Sequence, residues 1–234
     1  MSYVEIKAND GAGSFKAYIA MPKLTPAPAI IMIQEIFGIN QEMREKCDEM
    51  AARGYVAICP DLFWRIEPGI ELTDAVPAEL ERAFELFGIF DQTKGMDDLS
   101  ATLNYIRGHR DCNGKVGCMG YCLGGKLAYE MAADTHIDAS VSYYGVGLQD
   151  MLDKADNFTA PILIHIAGED DFTPKDAQDK IIATMKDNKF AQTHRYAGME
   201  HAFARGGGMH YNKEAAELAN ARSYDFLEKT LKAS

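Results

Sequence analysis

The sequence has no surplus of positive charge: 24 Lys and Arg stand against 35 Asp and Glu, a net charge of -11 spread along the chain. Phosphate binding needs a basic face, so nucleic acid is not an expected partner. No long apolar run is present either. The longest, Ala27 to Ile33, is interrupted by Pro28 and falls far short of the roughly 18 residues that a membrane span needs. The opening residues MSYVEIKAND lack a basic segment leading into an apolar core, so the expectation is an unexported, cytoplasmic protein with no membrane partner. Cysteine is sparse and odd in number, at Cys47, Cys59, Cys112, Cys118 and Cys122. A chain of 234 residues can bury enough surface to need no disulfide staples, so reduced thiols are expected. Repeats, low-complexity tracts and linkers are missing, which predicts a single domain over residues 1–234.

What is present is an alternation of apolar runs and amphipathic stretches. Val4 to Lys7 and Phe15 to Met21, separated by Asn9-Asp10-Gly11, suit a hairpin. Ala29 to Ile33 reads as a strand covered on both faces. Asn40 can cap a helix running to about Arg53, Gly54 ends it, and Tyr55 to Cys59, closed by Pro60, reads as the next buried strand. Helices are expected over about 77–90 and about 92–108, the second with Met96, Leu99, Leu103 and Ile106 at helical spacing. Lys115 to Met119, Ala139 to Tyr143, Pro161 to Ile166 and Phe190 to Tyr196 read as strands, with helices after Gly124, after Pro174 and from about Tyr211 to Leu231. This alternation predicts an α/β fold with a mostly parallel central sheet and helices on both faces. Trp64 to Ala78, rich in acid and proline, is the longest expected loop.

The sharpest local signal is Gly120-Tyr121-Cys122-Leu123-Gly124, lying between an expected strand and an expected helix. Small residues two before and two after a nucleophile let the backbone turn sharply and lift the side chain above the sheet. Here the nucleophile would be a cysteine. A helix starting directly behind it supplies N–H groups and a dipole that favour a thiolate and an oxyanion. A packed structural cysteine is the alternative, and Cys118 reads as one. Gly120 to Lys126 also fits the stem of a phosphate-binding loop, but Leu127 stands where that loop needs Ser or Thr for magnesium.

In this kind of fold an acid and a histidine follow the nucleophile in chain order. Gly168-Glu169-Asp170-Asp171 follows one strand and Gly198-Met199-Glu200-His201 the next, which nominates Asp170 and His201. His165, inside a strand run, reads as a core residue, and His109, His136, His194 and His210 as surface residues. A metal site built from His165, Asp170, His194 and His201 lacks the paired spacings of zinc motifs, so no metal and no cofactor are expected.

With these three residues in order, the sequence closely resembles the dienelactone hydrolase, or carboxymethylenebutenolidase, family over nearly its whole length. The resemblance is most specific at Gln34-Glu35-Ile36-Phe37-Gly38, Gly120 to Gly125, Tyr143-Tyr144-Gly145 and His201-Ala202-Phe203-Ala204-Arg205. It implies the α/β-hydrolase fold, a cofactor-free monomer, and cysteine-based opening of a carboxylate-bearing small-molecule lactone, dienelactone, to maleylacetate. It makes Cys122 the nucleophile, His201 the base and proton shuttle, and Asp170 the group that orients the imidazole. It makes Glu35 a carboxylate that contacts the resting thiol and is displaced by substrate; from the residues alone, a solvated loop acid is an equal reading. The N–H groups of Ile36 and Leu123 would form the oxyanion hole, with Phe37 beside the substrate, and Arg205 would bind the substrate carboxylate. The family's second anchor, an arginine and a tyrosine, aligns with Leu80 and Phe84, leaving Arg82 as a nearby stand-in, and Ala202 replaces a family serine. Two further readings carry forward: a cysteine-dependent hydrolase of another activated ester or lactone, and a non-catalytic binding protein on the same fold.

Overall fold

The computed structural model describes residues 2–232. The chain packs as two compact units, Met1–Gly117 and Cys118–Ser234. Each is built on its own run of strands.

In the first unit, β1 (Ser2–Lys7) and β2 (Ser14–Ala20) form the expected antiparallel hairpin, and the strand order continues through β4 (Val56–Pro60) to β3 (Ala27–Ile33). β3 and β4 are parallel, with Ile30 opposite Ala57, and both are buried along their whole length. That burial explains why they read as continuous apolar runs rather than as alternating ones. Between them α1 (Gln41–Ala52) starts where the side chain of Asn40 accepts the N–H of Met43. α2 (Pro77–Ile89) opens on a proline, and α3 (Gln92–Arg107) is capped by Asp91.

β5 (Cys112–Tyr121) runs across the boundary between the units and extends beyond the apolar core that marked it in the sequence. Its polar first half, Cys112 to Lys115, carries no period-2 signal to read. In the second unit follow α4 (Leu123–Asp134), β6 (Ala139–Tyr143), two short 3-10 turns within 148–157, β7 (Ile162–Ala167), α5 (Lys175–Lys186), β8 (Ala191–Tyr196) and α6 (Lys213–Leu231). The strand order is β5-β6-β7-β8, with β6 to β8 parallel and Tyr143 opposite His165. Residues that follow β5, β6, β7 and β8 therefore supply the loops of the second unit, and the three nominated side chains all lie there.

Candidate active site

Cys122 sits between the end of β5 and the first residue of α4, with φ 54° and ψ -114°. This conformation is strained for any residue but glycine, and it holds because both flanks are pinned. The Cys122 N–H donates to the Tyr143 carbonyl at 3.0 Å, and the Cys122 carbonyl accepts the Lys126 N–H at 3.1 Å as α4 begins. Glycine is required on either side. A Cβ on Gly120 would collide with the Gly124 carbonyl, and one on Gly125 with the Tyr143 carbonyl. Leu123 is the first helical residue, so its N–H has no acceptor within the helix and can serve an oxyanion. Cys122 is partly exposed, whereas Cys118, four residues earlier, is fully buried and meets Ser140 Oγ at 3.3 Å. Burial pushes the Cys118 thiol up to about 12, which leaves it inert.

Asp170 follows β7 and is buried. Its Oδ1 accepts the Phe172 N–H at 2.9 Å, and its Oδ2 meets His201 Nδ1 at 2.8 Å. A carboxylate on Nδ1 fixes that nitrogen as the protonated one, which leaves Nε2 to exchange protons with a reactant. Nε2 is buried and faces the Cys122 side chain. Burial would lower the imidazole pKa, but the electrostatic interaction with Cys122 and the hydrogen bond to Asp170 outweigh it and lift the value to about 10. The ring is clamped edge-on between Tyr144 at 5.1 Å and Phe172 at 4.7 Å. Neither aromatic residue was nominated from sequence, although Tyr144 lies inside a motif that was.

Strain concentrates here. Among the described residues, three that are not glycine have positive φ: Cys122 at 54°, Tyr144 at 37° and Ala202 at 63°. One is the elbow, one touches His201, and one follows it. Residues held in such conformations persist only where the surroundings over-determine them, and they gather at functional sites. The Arg205 N–H donates to the Ala202 carbonyl at 2.9 Å, and Arg205 Nε and Nη1 are out of contact with water.

A buried polar chain lies behind the elbow. Tyr143 Oη donates to Asn220 Oδ1 at 2.9 Å and meets Ser223 Oγ at 2.7 Å. Ser223 Oγ meets His165 Nε2 at 2.8 Å, and His165 Nδ1 meets Tyr196 Oη at 2.8 Å. Burial keeps His165 neutral, as expected of a core residue. His194 departs from the surface reading: it is half-buried, with its ring stacked 6.2 Å from that of His165.

The remaining nominated residues belong to the first unit. Glu35, two residues past β3, is only 6% exposed, so it is no solvated loop acid. Its backbone is held by Gln34, whose Nε2 donates to the Glu35 carbonyl at 3.3 Å while its Oε1 accepts the Leu62 N–H at 3.1 Å. Ile36 and Phe37 are likewise buried, and the Phe37 carbonyl accepts the Leu72 N–H at 2.9 Å. Arg82 is partly exposed on α2, with one amino group on Glu67 and the other on Glu85, each at 2.8 Å. It therefore carries its own counter-ions, which a one-dimensional reading of charge could not foresee. Among the described residues, no group of three or more His, Cys, Asp or Glu side chains is placed to hold a metal ion, and no helix is long and apolar enough to cross a membrane.

Residues 15–231 match the dienelactone hydrolase family. An Azospirillum brasilense relative is 44% identical over 242 residues, spanning 99% of this chain and 100% of its own length. The carboxymethylenebutenolidase of Pseudomonas putida is 41% identical over 224 residues, 96% of this chain and 94% of its own. In three dimensions, a dienelactone-hydrolase-type protein of Klebsiella pneumoniae superimposes with a TM-score of 0.83 at 25% identity, covering 97% of this chain and 98% of the other.

Proposed function

The chain belongs to the dienelactone hydrolase family, has the α/β-hydrolase fold and is a hydrolase acting on an ester bond, and from that premise we propose that it opens the enol lactone of dienelactone to maleylacetate through a thioester on Cys122. The observation that carries this reading is the left-handed Cys122 elbow at the start of α4, with His201 held on Asp170 in the same unit. In the proposed cycle the Cys122 thiolate adds to the lactone carbonyl, with the thiol proton residing on His201. The N–H of Leu123 stabilises the tetrahedral oxyanion, and the N–H of Ile36 is assigned the same task from the family resemblance. The intermediate collapses by breaking the bond from carbonyl carbon to ring oxygen. The departing enolate takes the proton from His201 and ketonises, leaving the acyl group on sulfur.

Water then adds to the thioester, giving one proton to His201, and the carbon–sulfur bond breaks to release the Cys122 thiolate and a carboxylic acid, which loses its proton to solvent as the product carboxylate. A thiolate suits this substrate. A delocalised enolate less basic than the thiolate departs first, whereas an alkoxide is a worse leaving group, so an ordinary alkyl ester would expel sulfur and return to starting material. Glu35 is assigned the part of holding the resting thiol, which its burial supports, and Arg205 that of pairing with the substrate carboxylate.

The ion pairs of Arg82 with Glu67 and Glu85 favour a second reading, another activated lactone or ester hydrolysed by the same trio, because Arg82 then anchors nothing. One experiment separates the two. Hydrolysis of cis- and trans-dienelactone is followed as loss of the conjugated ultraviolet chromophore for the wild type, Cys122→Ala and Arg82→Ala. The proposal expects turnover by the wild type, none by Cys122→Ala, and little change in Arg82→Ala. A wild type that ignores both isomers yet cleaves an activated aryl ester through Cys122 would establish the second reading instead.

A further inference from the structure

Away from the catalytic side chains, the second unit has a recess of about 250 Å³ between β8 and α6, lined by Gln192, His194, Arg222, Asp225, Lys229 and Thr230. Arg222 is unusual among the arginines. Arg44, Arg53, Arg65, Arg82, Arg110 and Arg195 each meet a carboxylate. Among the described residues Arg222 meets none, in a chain with a net charge of -11. Its hydrogen bond runs from Nη1 to the neutral Tyr196 Oη at 3.1 Å, and the guanidinium lies over that ring at 5.4 Å. The acid on its own helix, Asp225, is taken by Lys229 at 2.7 Å. The other walls carry donors in the Gln192 amide and the His194 ring, while the Thr230 hydroxyl donates to the Phe226 carbonyl of its own helix at 2.7 Å. A partly buried guanidinium with most of its donors uncommitted, facing further donors, with the nearest lining carboxylate already bonded to Lys229, is the complement of an anion. The volume is below that of a drug-sized pocket, so the anion must be small.

We propose that this recess binds a small oxyanion, carboxylate or inorganic, on the fork of Arg222 with His194 and Gln192 completing its hydrogen bonds. The charged and titratable groups facing His194 are Arg222, Asp225 and Lys229 from α6 and His165 from β7. Burial and Arg222 keep His194 neutral at rest. An anion seated beside it reverses the repulsion from Arg222 and favours the imidazolium, so affinity rises as the pH falls. This inference is independent of which ester the enzyme cleaves.

The full chain is titrated with sodium sulfate, which stays a dianion across the range used, and separately with succinate, at ionic strength held constant with chloride. Binding is read from the amide resonances of β8 and the Nε–H of Arg222. The expected result is a saturable shift with a dissociation constant on the order of 1 mM, tighter at lower pH with sulfate. Arg222→Met should weaken it about tenfold or more, and His194→Gln should keep binding but flatten its pH dependence. If Arg222→Met yields no dispersed spectrum, Arg222→Lys keeps the charge without the fork and should also bind more weakly. Saturation by sulfate alone assigns an inorganic ligand, and by succinate alone a carboxylate. Shifts that never saturate with either probe, or that persist unchanged in the folded Arg222 variant, overturn the proposal.

Discussion

His201 holds its proton more tightly than a free imidazole, because Cys122 and Asp170 outweigh the effect of burial. Removing the sulfur should undo most of this. NMR titration of the ring is expected to give a lower pKa in Cys122→Ala than in the wild type; equal values would mean that Asp170 alone sets it. The linkage to stability has a definite sign. With a folded value near 10 and an ordinary value of 6.5, the protonated imidazole contributes its full stability below about pH 6.5 and loses it as the pH rises towards 10. Urea midpoints of the wild type and His201→Gln should accordingly converge over that interval. Asp170→Asn removes the negative charge and can place an amide N–H opposite Nδ1, favouring the wrong tautomer, so kcat should fall on the order of 10² to 10⁴-fold with the fold intact. Cys122, Asp170 and His201 were legible because elbow, acid and histidine each follow a readable strand in a fixed order. The clamp by Tyr144 and Phe172 was not, since an aromatic residue's edge-on contact leaves no spacing signature.

At the level of the element, strands and helices were legible wherever burial imposes a period. β6 starts and ends where the sequence placed it, and α1 and α3 begin at their capping residues. The polar start of β5 and the 3-10 turns before β7 escaped because no apolar period marks them. Junctions between elements are where a single methyl group matters most. Gly125→Ala forces α4 away from the Tyr143 carbonyl, and unfolding in urea should show a loss of about 1–3 kcal/mol together with a fall in activity. An alanine here that left both unchanged would mean that the close approach is not required. Tyr143→Phe leaves Ser223 and Asn220 without their shared partner, at a cost of about 1–3 kcal/mol by the same measurement.

For the whole molecule, the charge of -11 acts at a distance on any anion that approaches. If the substrate carries a carboxylate, kcat/KM should rise between about 10 mM and about 150 mM ionic strength, where the screening length shrinks from about 30 to about 8 Å. A neutral activated ester should show little of this, and a falling rate with the anionic substrate would mean that local cations govern its approach. The long-range polar chain behind the elbow could not be read from sequence, because its members come from β6, β7, β8 and α6. It has a direction. Asn220 Oδ1 can only accept, so Tyr143 spends its hydroxyl hydrogen there and accepts from Ser223, which must accept from His165 Nε2–H. Nδ1 is then bare and takes the Tyr196 hydroxyl hydrogen, while Tyr196 accepts from Arg222, a pure donor. Every hydrogen in the series thus points the same way, from Arg222 round to Asn220, like magnets laid end to end. None can turn without turning all, so the second unit keeps two histidines of opposite temperament: one free to trade protons, the other locked in a single tautomer.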